Sequence, residues 1–112
     1  MHKDDLVRVR HMVDAAKEAL SFVQGKTRDH LEQDRQLALS LIRLIEVVGE
    51  AAAQVTEGFQ TSHPEIPWAV IVGMRNRLIH AYFDIDLDRV WDTAKDDLPL
   101  LVTQLDQIAK KG

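Results

Sequence analysis

The 112-residue chain contains no cysteine. That excludes a disulfide scaffold, a thiol nucleophile and a thiolate zinc site, and leaves the redox compartment open. With only three prolines and five glycines, few positions interrupt the backbone and long helices are expected. No run approaches the roughly 18 consecutive apolar residues of a membrane span. The start, Met1-His2-Lys3-Asp4-Asp5, is charged with no apolar run behind it, so no secretory signal is expected and a cytoplasmic protein is. Basic charge is not in excess either. At a formal net charge of −4, bulk attraction to nucleic acid or to an anionic membrane is out, and any RNA contact has to come from a local basic patch. What is present, 46% hydrophobic and 29% charged residues, is the balance of one folded domain over 1–112 with room for a single core.

Helical spacing fills most of that length. From about Asp4 to Gln24, the residues Leu6, Val9, Val13, Ala16 and Leu20 fall in one stripe roughly 80° wide. Gly25 stands where a C-terminal cap belongs, and Thr27 or Asp29 is placed to cap the next helix. A long second helix is expected from about Asp29 to Glu57, lined by Leu37, Leu41, Leu44, Ile45, Val48, Ala52 and Val55. Gly49 inside it costs about 1 kcal/mol relative to alanine, and close approach of a neighbouring helix is the simplest reason for it. Phe59 to Glu65 reads as a loop, and Pro67 fits the first turn of a third helix running to Tyr82. The run Asp84-Ile85-Asp86-Leu87-Asp88 supplies N-caps for a fourth, whose face is held by Val90, Ala94, Leu101, Leu105 and Ile108. Pro99 should kink or split it. No alternating strand pattern appears, and the expected architecture is an all-α, antiparallel bundle of four to five helices.

The third segment carries the chemistry. On a continuous helix Arg75 falls in the middle of the apolar stripe formed by Ile71, Val72, Leu78, Ile79 and Tyr82. A guanidinium there is expensive unless it is paired or placed in a cleft. Asn76 and His80 share another face, with Arg77 and Gly73 beside them, and no acid lies between Ile71 and Ala81. Singly, each has a bland explanation. His80 can be an ordinary surface or core histidine, Arg75 can be an ion-pair partner with Asp34 as a candidate acid, and Tyr82 can simply pack.

Together, Arg75-Asn76-Arg77-Leu78-Ile79-His80-Ala81-Tyr82 forms R-x4-H-x-Y, and this resembles the HepT-like toxins of the HEPN superfamily. Ile66-Pro67-Trp68 and Gly73-Met74 before the motif, Asp86-Leu87-Asp88-Arg89-Val90-Trp91 after it, and Gly49-Glu50-Ala51 upstream extend the likeness over nearly the whole chain. The resemblance implies a HEPN-type bundle, homodimeric, whose motif segments line one cleft. It implies a metal-independent endoribonuclease toxin of a type II toxin-antitoxin system, with a nucleotidyltransferase antitoxin that neutralises it by adenylylating the tyrosine. Those roles fall on Arg75 and His80 as the catalytic pair, Asn76 as a polar helper, Tyr82 as the modified residue and Arg77 as a weak substrate contact.

The chemistry is coherent. RNA carries its own nucleophile, the 2′-OH, so cleavage needs a proton acceptor, a proton donor and charge stabilisation at phosphorus. Histidine titrates near neutrality and serves the proton transfers, and a guanidinium matches phosphate oxygens in pairs. No cofactor is implied. His2, His11, His30, His63 and His80 show no H-x3-H pair, which disfavours metal-assisted hydrolysis. The competing reading from another class is a non-catalytic HEPN-like dimer that binds a nucleotide or a nucleotidyltransferase partner.

Overall fold

The computed structural model describes residues 3–81 and 84–111, the side chains of Lys3, His80, Ala81 and Lys111 excepted. It is an all-α bundle with one short hairpin. The helices are α1 (Lys3–Val23), α2 (Asp29–Gln33), α3 (Arg35–Gln54), α4 (Glu57–Ser62), α5 (Trp68–Val72), α6 (Leu87–Asp92) and α7 (Leu98–Lys111). Between α5 and α6 come a 3-10 turn (Met74–Arg77) and two antiparallel strands, β1 (Ile79–Ala81) and β2 (Asp84–Ile85).

α1 packs most extensively on α3 and next on α7. Having two neighbours widens its buried face beyond the expected stripe: Asp5, Met12, Ala15, Ala19 and Val23 are buried with Val9, Val13 and Ala16, while Leu6 and Leu20 are only half-buried. The alanines keep α1 slim, so a neighbouring helix can lie close. α3 buries Leu37, Leu41, Ile45, Val48 and Ala52 as expected, and α5 packs against it too. The reason for Gly49 is then direct: a Cβ there would sit 3.1 Å from the Ile71 carbonyl oxygen and 3.5 Å from that of Val72.

The expected long second helix is two helices. Asp34 adopts extended backbone (φ −125°, ψ 93°) and its side chain accepts from the Leu37 N–H. Aspartate competes with the helix for backbone donors and so favours a cap over an interior position. Asp34 is therefore not the acid for Arg75. Neither Thr27 nor Asp29 caps α2; instead the Thr27 N–H donates to His30 Nδ1 at 2.9 Å. Gly25 does close α1, with φ +75°.

Residues expected to be loop after Phe59 partly belong to α4. Thr56 caps it through the Phe59 N–H, and Phe59 is buried. The buried Asp5 carboxylate accepts from the Thr56 N–H (2.8 Å) and hydroxyl (2.7 Å), tying the start of α1 to the start of α4. Asp86 caps α6 through the Arg89 N–H, one of the caps anticipated in that acidic run. Arg28 joins α2 to α6 by ion-pairing Glu32 and Asp88, and the hydrogen bond that its Nε donates to Asp88 Oδ1 holds its guanidinium above the ordinary arginine range. Pro99 has no N–H to give to residue 95, and the helix accommodates it with a π-turn over Thr93–Asp97, just before α7.

Candidate active site

The third segment departs furthest from expectation. It is not one helix over 68–82. Pro67 precedes α5, the Trp68 indole donates to the His63 carbonyl at 3.0 Å, and Gly73 ends the helix with its N–H on the Ala69 carbonyl. The chain then tightens: Asn76 N–H bonds Gly73 O and Leu78 N–H bonds Arg75 O, both i to i−3. After Leu78 it extends, with Ile79 opposite Ile85 and Ala81 opposite Asp84, and a 2.7 Å bond from the Asp86 N–H to Leu78 O fastens the base of the hairpin. Ile79 and Ile85 are β-branched and half-buried, which suits a strand pair better than a helix face.

This geometry replaces the helical wheel. Met74 and Leu78 are buried, and the three residues between them, Arg75, Asn76 and Arg77, are all exposed. Arg75 therefore does not stand inside an apolar stripe, and the cost of burying a guanidinium does not arise. Its side chain is 51% exposed, and its Nε donates to Glu46 Oε2 on α3. Among the described residues the guanidinium makes no other hydrogen bond. Arg77 turns elsewhere: its Nη2 donates to the Val70 carbonyl at 3.0 Å, satisfying the last turn of α5. It also lines a groove of about 220 Å³ with Pro67, Val70, Met74 and Leu100.

Asn76 is exposed on the same turn as Arg75. The shared helix face expected for Asn76 and His80 does not exist, because His80 lies in β1; its side chain is outside the described residues. Tyr82 also lies outside the described residues. The turn and β1 thus put Arg75 and His80 on consecutive elements separated by one buried anchor, Leu78.

Glu46 is the residue that sequence reasoning missed. Gly49 was the available signal: it marks the face of α3 against which the end of α5 lies, and Glu46, at i−3 from it, shares that face. The acid belongs to a chain of alternating charge, with Arg43 Nη1 3.9 Å from Glu46 Oε1 and 3.4 Å from Glu50 Oε1. Among the described residues, no three histidine, aspartate or glutamate side chains are grouped to hold a metal ion, and no helix is long and apolar enough to cross a membrane.

An all-α bundle that presents a basic turn from a glycine-closed helix, anchored on its long central helix, is the class defined by fold and site. The chain belongs to the HepT-like family of the HEPN superfamily: the model of the family described as "Ribonuclease HepT-like" matches residues 12–108. It is 33% identical over 109 residues to a Thermococcus cleftensis protein named "Probable ribonuclease HepT", covering 97% of this chain and 96% of that one. It is 29% identical over 103 residues, 92% of each chain, to a protein of Caldanaerobacter subterraneus subsp. tengcongensis named "Putative RNase TTE0752". No solved structure matches the chain.

Proposed function

We propose that this protein is a metal-independent endoribonuclease, the toxin of a type II toxin-antitoxin system. In this reading it works as a homodimer, with Arg75 and His80 at a shared cleft. The observation that carries it is Arg75, half-exposed on a turn anchored by the buried Met74 and Leu78, with its terminal nitrogens free of hydrogen bonds to the described residues, in a family whose relatives bear ribonuclease names.

Each residue has a definite task. Arg75 neutralises charge on the phosphate and strengthens its hold as that charge grows on the non-bridging oxygens. His80 takes the 2′-OH proton or returns one to the leaving 5′-oxygen, and a dimer brings two histidines for the two transfers. Asn76 adds a polar contact beside Arg75. Arg77, already bonded to Val70 O, contributes positive potential more than a free fork. Tyr82 is the target of a cognate nucleotidyltransferase antitoxin. The phosphate of an attached AMP competes with RNA for Arg75 by the same charge-assisted bonds.

The test is incubation of the purified protein with RNA in EDTA, beside a His80→Ala control. Cleavage by the parent and not by the variant is expected, and no cleavage, or equal cleavage by both, refutes the assignment. For the regulatory part, mass spectrometry after co-expression with the antitoxin should find nucleotide mass on Tyr82. Suppressed activity without it removes Tyr82 from the mechanism.

A further inference from the structure

Glu46 lies outside the motif, yet three features tie it to Arg75. It stands on α3, a 20-residue helix, so its backbone is fixed by the scaffold and not by a loop. It is one turn from Gly49, where the Ile71 and Val72 carbonyls come within 3.1 and 3.5 Å of a Cβ position; backbone contact thereby sets the spacing between α3 and the segment that leads into the Arg75 turn. Its two oxygens are also divided: Oε2 accepts from Arg75 Nε, and Oε1 faces Arg43.

A guanidinium is a planar fork of five N–H donors. A bond to Nε fixes the plane and leaves the two Nη groups for a second partner, and paired phosphate oxygens match that edge. Burial follows the same division, because the Glu46 side chain is 21% exposed and that of Arg75 51%. The acid is sunk and the arginine reaches out. Its negative charge meanwhile opposes an approaching phosphate. Glu46 therefore weakens ground-state attraction while improving alignment, and those two effects move KM and kcat differently.

We propose that Glu46 is the positioning residue of Arg75, holding the guanidinium by Nε so that the Nη edge faces the scissile phosphate of RNA. The substrate in this inference rests on the ribonuclease reading; the pair itself does not. In steady-state cleavage, Glu46→Ala lowers kcat about 10- to 100-fold, the scale of a misaligned catalytic group, with KM unchanged or lower. Glu46→Gln keeps an oxygen acceptor at the same reach and retains most of the parental kcat. In an Arg75→Ala background, Glu46→Ala brings no further loss. An unchanged kcat for Glu46→Ala, or the same factor lost in both backgrounds, overturns the proposal. Thermal melts of each variant separate these outcomes from misfolding, and Glu46→Leu, which also lacks an acceptor and carries the same expected loss, replaces Glu46→Ala if that variant does not fold. A second readout needs no RNA. In proton–nitrogen NMR spectra, the Arg75 Nε–H signal should be shifted and slow to exchange in the parent, and move to the position of solvated arginines in Glu46→Ala. A signal indifferent to Glu46→Ala overturns the pair, whereas a parent that leaves RNA intact refutes the proposed function and leaves this readout standing.

Discussion

Replacing Gly49 by alanine opposes two effects of similar size. The helix gains about 1 kcal/mol, because glycine in a helix interior is that much worse than alanine. Against it, the new Cβ lands 3.1 Å from Ile71 O and 3.5 Å from Val72 O. These are backbone atoms at the end of α5, which cannot rotate away as a side chain would. α5 has to withdraw by a few tenths of an ångström, and overpacking of this kind costs about 1–3 kcal/mol. The net expectation is a loss of about 0–2 kcal/mol, or a Tm lower by up to about 8 °C. Gly58 is the internal control. It also lies in a helix, and a Cβ there meets nothing within 4 Å, so Gly58→Ala should be neutral or stabilising by up to about 1 kcal/mol. Urea unfolding followed by circular dichroism compares the two. If Gly49→Ala stabilises as much as Gly58→Ala, α5 is not pressed against α3, and the reasoning that fixes the Arg75 turn through that contact fails.

Asp5→Ala should cost about 2–4 kcal/mol, since it strips the Thr56 N–H and hydroxyl of a buried acceptor; a loss under about 0.5 kcal/mol in urea unfolding would show the link to be incidental. Arg75→Ala should lower RNA cleavage about 10²–10³-fold and His80→Ala about 10²–10⁴-fold, both with parental melting curves, and parental rates in both refute the assignment. Sedimentation at micromolar concentration should find a dimer; a monomer contradicts the shared cleft.

The helices that make the core were readable because their periodicity is set by burial: Leu37, Leu41, Ile45, Val48 and Ala52 are buried as their spacing demands, as are Val90, Ala94, Leu101, Leu105 and Ile108. The same logic failed where local hydrogen bonding outweighs periodicity. Asp34 preferred to cap α3, and Thr56, accepting from the Phe59 N–H, started a helix in the stretch from Phe59 that read as loop. The motif segment misled most, because Ile71, Met74 and Leu78 keep a helix-like spacing even though the chain passes from helix to 3-10 turn to strand. All three are buried in the one core, so burial alone gives no sign of the change in backbone. A tight turn that exposes three successive residues has no signature in a wheel, so Arg75 read as an interior cation. R-x4-H-x-Y, with Pro67-Trp68 before it, pointed to the family without any of this geometry. Glu46 stayed hidden since one acid among the charges of an amphipathic helix looks like any solvated one.

The central claim is that the 2′-OH of RNA attacks its own phosphate, with Arg75 and His80 providing charge stabilisation and proton transfer and no metal taking part. The most direct measurement uses two labelled oligonucleotides of one sequence, all-RNA and singly 2′-deoxy at the cleaved position, each incubated with the protein in EDTA. The expected result is cleavage of the all-RNA strand to a 2′,3′-cyclic phosphate and an intact deoxy-substituted position. Cutting at the 2′-deoxy position, or cleavage of RNA that stops when EDTA is added, would contradict it.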